Sequence, residues 1–219
     1  MILLPIPTCH DMYIEVIKRP KFGKPIKIVQ KAHSPLKNWG NVLDAYFEKQ
    51  DRDVVDLTGA SKTIRGYIQS VYCNSGYRNV GIDLHPKAGE GDDSFGLIVG
   101  KGTASVTFDD YNLASRYTHG EGENQLYHYG TTISLTVSGQ VTIDDKTYNT
   151  MILTVERAFQ NKWTDSQTIT EIGLALYYYH YSVGSCKFLA FRDVLDQSIT
   201  LASSETATLR YHFRWLLPA

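Results

Sequence analysis

The run Ala207-Thr208-Leu209-Arg210-Tyr211-His212-Phe213-Arg214-Trp215 alternates apolar side chains with Thr, Arg and His. Successive side chains of an extended chain point to opposite faces. The spacing therefore predicts a strand with Ala207, Leu209, Tyr211, Phe213 and Trp215 buried, its other face being wet or in an interface. The same period recurs upstream. Ile133, Leu135 and Val137 alternate with Thr132, Ser134 and Thr136. Met151, Leu153 and Val155 alternate with Ile152, Thr154 and Glu156, and Phe159 keeps the phase. Ile169–Tyr181 is a longer, more apolar strand, Phe188–Val194 follows it, and Gly96-Leu97-Ile98-Val99-Gly100 is a short run bounded by glycines. Turn residues separate these runs at Ser138-Gly139, Asp144-Asp145, Asn161–Ser166, Val183-Gly184-Ser185 and Ala202–Glu205. Short strands at such spacing predict a mainly β fold, an antiparallel β-sandwich of jelly-roll-like type.

The first fifty residues read differently. Lys18, Arg19, Lys21, Lys24, Lys27, Lys31 and Lys37 lie in a stretch without acids, punctuated by Pro20, Gly23 and Pro25. Residues 1–33 are therefore expected to form an extended basic arm with a short strand at Ile26–Gln30. Ser34 as N-cap and Pro35 at the first helical position then open one amphipathic helix, reaching to about residue 50. Its apolar stripe is Leu36, Trp39, Val42, Leu43, Tyr46 and Phe47. Residues 34–219, helix included, are expected to form the sandwich domain. Between the helix and the strand at Gly96, Thr63–Tyr72 reads as a strand, and 73–95, rich in Gly, Asp and Asn, as a long loop.

Composition narrows the class. The chain has 219 residues, 42% of them hydrophobic and 21% charged, which suits a globular domain with its own core. A net charge of -1 gives no overall attraction to polyanions. No apolar run approaches the ~18–20 residues of a membrane helix, and Met1-Ile2-Leu3-Leu4-Pro5 does not read as a signal peptide. Cys9, Cys73 and Cys186 have neither disulfide nor metal spacing and are expected to be reduced, mostly buried thiols.

Chemistry-bearing motifs are sparse. There is no Gly-x-Ser-x-Gly elbow, phosphate-binding glycine loop or His-Glu-x-x-His. Cys9-His10-Asp11 has the residue types of a nucleophile, base and orienter, but neighbours in an extended chain face opposite ways. The acidic clusters Glu90–Ser94 and Asp109-Asp110, the latter with Glu121 and Glu123 nearby in sequence, lack the register of an EF-hand calcium loop, and the glycines of His119–Glu123 point to a turn rather than a transition-metal site. Arg157, Glu171, Arg192 and Asp193 lie in or beside apolar strands, where charges are paired when buried. They are expected to form a structural salt-bridge network. Neither a cofactor nor catalysis is expected. The arm's Lys18, Arg19, Lys21, Lys24 and Lys27 complement the acidic 81–123 region and suit contact with a neighbouring subunit. Only Phe22 interleaves them, which argues against nucleic acid as the partner. In Tyr177-Tyr178-Tyr179-His180-Tyr181 the rings cannot all enter one core, so Tyr177, Tyr179 and Tyr181 are candidates for a partner-facing surface.

A group of segments carries a family resemblance: Gly96–Gly102, Asp109–Leu113, Gln125–Gly130, Ala158–Asn161, Ile169–Leu174 with its Glu171-Ile172-Gly173-Leu174, Phe188–Leu195 with its Arg192-Asp193-Val194-Leu195, and the closing alternating strand. Together they resemble a β-domain of virion structural proteins from tailed bacteriophages and related prokaryotic viruses. The resemblance spans about residues 96–214, and more loosely the strand and aromatic-bearing helix upstream. It departs from the family at Leu201–Glu205, where a Pro- or Gly-bearing turn is expected, and at the tyrosine run. It implies a non-enzymatic tail, baseplate or capsid-decoration component, made in the host cytoplasm and resident in the virion. Its implied partners are copies of itself, in a ring or trimer, and other virion proteins. The alternative is a β-sandwich module that binds carbohydrate or another cell-surface ligand, with Trp163 in the Asn161–Ser166 turn as the platform for a host-surface glycan.

Overall fold

A computed structural model describes residues 9–32, 35–67, 69–73, 76–80, 82–143 and 146–218. It is a mainly β, sandwich-like fold with a single described helix. In chain order the elements are β1 (Cys9–Arg19), β2 (Ile26–Lys31), α1 (Lys37–Glu48), β3 (Asp51–Val55), β4 (Ser61–Arg65), β5 (Gln69–Cys73), β6 (Gly76–Val80), β7 (Asp83–His85) and β8 (Gly96–Gly100). There follow β9 (Thr118–His119), β10 (Gln125–His128), β11 (Thr132–Ile143), β12 (Lys146–Gln160), β13 (Gln167–His180), β14 (Gly184–Leu201) and β15 (Thr206–Pro218). The larger sheet has seven strands in the order β2-β1-β15-β12-β10-β9, with β11 also on β12. The smaller has β14-β13-β7, with β8 also on β13. β3–β4 and β5–β6 form separate hairpins.

The strand at 207–215 is the hub of the larger sheet. β15 lies between β1 and β12, with Tyr211 opposite both Ile14 and Val155. Its apolar face meets the smaller sheet: Ile14, Val16, Val155, Phe159, Leu209 and Tyr211 share one core with Leu97, Val99, Ile172, Leu174, Tyr178 and Phe188. Its polar face is tied by ion pairs, Arg214 to Asp11, Arg210 to Glu15 and Glu156, and Lys27 to Glu15. Burial works to raise the pKa of Glu15, but hydrogen bonds from Lys27 and Arg210 outweigh it and hold the carboxyl below its ordinary range.

The smaller sheet is covered on both faces, which is why β13 reads as a long apolar run. Behind it Leu36, Ala88, Phe95, Ile98, Leu113, Ala175 and Leu189 form a second cluster.

Three expectations are corrected. The first concerns the segment read as an arm, residues 1–33. Its described part is built into the sheet: β1 pairs along its length with β15, β2 pairs β1, and Ile14 and Val16 are buried. Met12, Ile14 and Val16 alternate with Asp11, Tyr13 and Glu15, so the segment has a core-facing side that its basic, proline-bearing sequel obscured.

The second concerns the helix start. Leu36 caps α1 with no side-chain hydrogen bond, while Pro35 lies one residue earlier and bridges Phe191; Ser34 lies outside the described residues. Buried Asn38 ties the helix down, donating to Leu189 O at 3.2 Å and Val55 O at 2.8 Å. The buried stripe runs through Asn38, Val42 and Ala45, whereas Phe47 is 81% exposed and Leu43 is also on solvent.

The third concerns 63–95. The expected strand is broken at Gly66, where a Cβ would lie 1.9 Å from the Ala45 carbonyl oxygen, so the chain turns against α1 where only glycine fits. The expected loop contains β6 and β7.

Candidate functional site

Two buried charged centres organise the irregular segments. Glu171, on β13, is out of solvent. Its Oε1 accepts from Gly102 N at 3.0 Å and Ser115 N at 2.8 Å; its Oε2 accepts from Ala114 N at 3.0 Å. Arg192, across from Gly173 on β14, completes the set. Its Nε and Nη2 donate to Glu171 Oε2 at 3.0 and 2.9 Å, and its Nη1 to Asp110 Oδ2 at 2.6 Å. The pair therefore pins residues 101–116 to the sheet. Gly102 permits this approach, since a Cβ there would lie 2.5 Å from Glu171 Oε1.

Arg157 does not join them, contrary to the expected network. It lies in phase with Val155 and Phe159 on the inner face of β12 and is 0% exposed. Its guanidinium donates to five backbone carbonyls: Tyr129, Phe95, Leu97, Gly89 and Asp92, at 2.6, 3.2, 3.0, 3.2 and 2.5 Å. That uses all five N–H groups of an arginine. Burial brings its pKa down to about 10, still cationic at neutral pH. Asp193 is separate too. Adjacent to Arg192, it points to the opposite side of β14 and accepts from Tyr211 Oη at 2.8 Å inside the main core. Among the described residues the expected four-residue network thus divides into the Glu171–Arg192 ion pair extended to Asp110, the carbonyl-bound Arg157, and Asp193 with its bond from Tyr211.

The basic residues expected to face a partner are divided. Lys18 reaches Glu205 at 2.9 Å and Thr200 O at 2.7 Å, and Lys27 pairs with Glu15, so both serve the fold. Arg19, Lys21 and Lys24 are exposed around the β1–β2 turn. The tyrosine run divides as its alternation requires. Tyr178 is buried, its hydroxyl accepting from Arg65 N at 2.7 Å and donating to Arg65 O at 3.1 Å. Tyr177 packs against His85 and Phe95, with ring centres 5.3 and 5.5 Å away. Tyr179 and Tyr181 are on solvent, at 38% and 60% exposed.

Trp163 is set by its turn. Buried Asn161 donates to Asp165 O and Leu201 O, both at 2.8 Å, and accepts from Trp163 N at 3.0 Å. The half-buried indole lines a polar groove with Lys101, Glu123, Asn124 and Asp165.

Among the described residues no three His, Cys, Asp or Glu side chains converge as metal ligands. Asp92 is engaged by Ser94, Asp93 by Arg116 and the His119 amide, and Glu121 by Lys162. Cys186 is buried, which pushes its thiol up to about 11. The side chains of Cys9, His10 and Cys73 lie outside the described residues.

One surface escaped the sequence reading. The apolar row of the larger sheet outruns the smaller sheet that covers it. Toward one end, Leu153, Phe213 and Trp215 line an open apolar groove with Trp39, Leu84 and Phe191. In register beyond Leu153, on β11, Ile133, Leu135 and Val137 reach solvent at 41%, 58% and 67% exposed. Their alternation is legible in sequence. What is not legible is that nothing in the described fold lies over them.

Comparison with family models, curated proteins and solved structures found no match.

Proposed function

We propose that the chain is a structural component of a virus particle, a phage tail, baseplate or capsid-decoration protein that works through subunit contacts. The observation that carries this reading is the uncovered apolar row Ile133, Leu135, Val137 with its continuation into the Leu153–Phe213–Trp215 groove. Contiguous exposed apolar surface on a folded domain marks an interaction site. The two buried centres support it further, because they lock long irregular segments into fixed shape, as a building block requires. The placement in a virion rests on the resemblance of residues 96–214 to virion β-domains. Sedimentation analysis of the purified chain, with mass spectrometry of particles from its source host, tests the reading. An oligomer in solution and the chain's peptides in the particles are expected. A monomer at every concentration, or particles without the chain, overturns it.

A second reading, a glycan-binding module, is favoured by the Trp163 groove. An aromatic face beside Glu123, Asn124 and Asp165 matches the apolar face and hydroxyl rim of a sugar ring. Titration calorimetry against host-surface glycans should then show binding that Trp163→Ala abolishes; binding unchanged by that substitution removes the site.

A further inference from the structure

We infer that β11 is the self-association site: its open edge pairs antiparallel with β11 of a second copy, about a two-fold axis at Leu135. The inference rests on the reading of the chain as an assembling subunit, and it names the surface and the partner.

The sheet edges at β14, β2 and β11 are treated differently. The outer edge of β14 is occupied: Ala190 O accepts from Leu36 N at 2.9 Å, Lys187 O from Leu57 N at 3.0 Å, and Val194 O from Gln30 Nε2 at 3.2 Å. The outer edge of β2 carries exposed Lys27 and Lys31 and follows Pro25, devices that oppose pairing with another strand. The β11 edge has neither protection. It pairs β12 on one side, and among the described residues no strand pairs the other. From Thr132 to Val137 it holds no charge and no proline, and all six side chains are exposed.

The sequence of that edge complements itself. Antiparallel pairing centred on Leu135 sets Ile133 against Val137 of the second copy and Leu135 against Leu135. On the other face it sets Ser134 against Thr136. Every apolar side chain then meets an apolar one, and each hydroxyl meets a hydroxyl, pairings that stabilise adjacent strands. Shifting the axis by one residue leaves one of the three apolar side chains unmatched. Further along, the ladder with β12 is interrupted between Val137 and Gln140, and Gly139 takes a φ of +124°, which ends the straight edge. A strand pairing about a two-fold is isologous, so it closes as a dimer rather than running on as a fibre. It also joins the two apolar grooves into one continuous face.

Leu135→Lys places like charges opposite each other at the axis and touches no core residue. Sedimentation equilibrium should show the wild-type chain at twice the chain mass and the variant dissociated, self-association weakening at least about tenfold. A short bis-maleimide should join Leu135→Cys chains to one another. It should join Ile133→Cys only to Val137→Cys, with the wild-type chain as control for native cysteines. A Leu135→Lys variant that assembles like wild type, or Ile133→Cys joining itself more readily than Leu135→Cys, overturns this site and leaves the assembly reading standing. A wild-type chain that is monomeric throughout overturns both.

Discussion

Glu171 and Arg192 face each other across the β13–β14 pair, joined by hydrogen bonds of 3.0 and 2.9 Å and almost wholly out of water. The carboxylate also takes three backbone amides from 101–116. Removing one member of a buried pair costs about 3–5 kcal/mol, and because Arg192 keeps Asp110 as a second carboxylate the cost here falls at the lower end of that range. Glu171→Gln is expected to lose about that much in urea unfolding. It should also expose 101–116 to limited proteolysis before the rest of the domain. Stability within about 1 kcal/mol of wild type would mean that the loop holds itself.

Arg157 poses a different problem, because its partners are carbonyls rather than a carboxylate. Arg157→Met fits the space but leaves the Phe95, Leu97 and Tyr129 oxygens without this donor. Each buried unsatisfied carbonyl costs about 1–3 kcal/mol. The expected loss is at least about 3 kcal/mol by chemical denaturation, with Arg157→Lys intermediate, since an ammonium offers fewer donors. A methionine variant as stable as wild type would assign the arginine no structural role.

Much of the fold was legible because period-2 alternation survives wherever one sheet face is buried. β15, β12, β13 and β8 could be read from their apolar positions alone, and so could the Asn161–Ser166 turn. Two things were not legible. The first is which carboxylate or carbonyl a buried charge finds. Arg157 and Arg192 look alike in sequence, yet chain segments about 60 and 80 residues away decide their partners. The second is whether an alternating strand is covered. Ile133, Leu135 and Val137 have the same pattern as Leu209 and Tyr211. Only the shorter reach of the smaller sheet leaves the first set on solvent. In β1 the difficulty was local: the lysines and prolines that follow it outweighed the alternation of Met12, Ile14 and Val16.

The integration of β1 into the sheet has a direct test. Ile14 is buried against the main core, whereas Ile26, only twelve positions on, is 49% exposed on the edge strand. Ile14→Ala is expected to cost about 2–5 kcal/mol, and Ile26→Ala no more than about 0.5 kcal/mol. Equal small effects in thermal unfolding would restore the picture of an arm lying outside the domain.

His128 supplies a pH dependence whose sign follows from its surroundings. The ring is 0% exposed, packs edge-on against Phe159 with centres 4.9 Å apart, and among the described residues finds no hydrogen-bond partner for either nitrogen. Burial first, then the nearby Arg157, His119 and Arg116, depress its pKa from 6.5 to about 3. Between those values the unfolded chain binds a proton that the folded chain refuses, so stability falls as pH falls below about 6.5. At pH 5 the loss attributable to this residue is about 2 kcal/mol, from a gap of about 1.5 pH units at 1.36 kcal/mol each. His128→Phe keeps a ring of similar size against Phe159 and has no nitrogen to leave unpartnered. The variant is therefore expected to match or exceed wild-type stability at pH 7 and to lose about 2 kcal/mol less between pH 7 and pH 5. Urea unfolding of both proteins across that range measures the difference directly. Parallel stability curves would show that His128 accepts its proton in the folded protein after all.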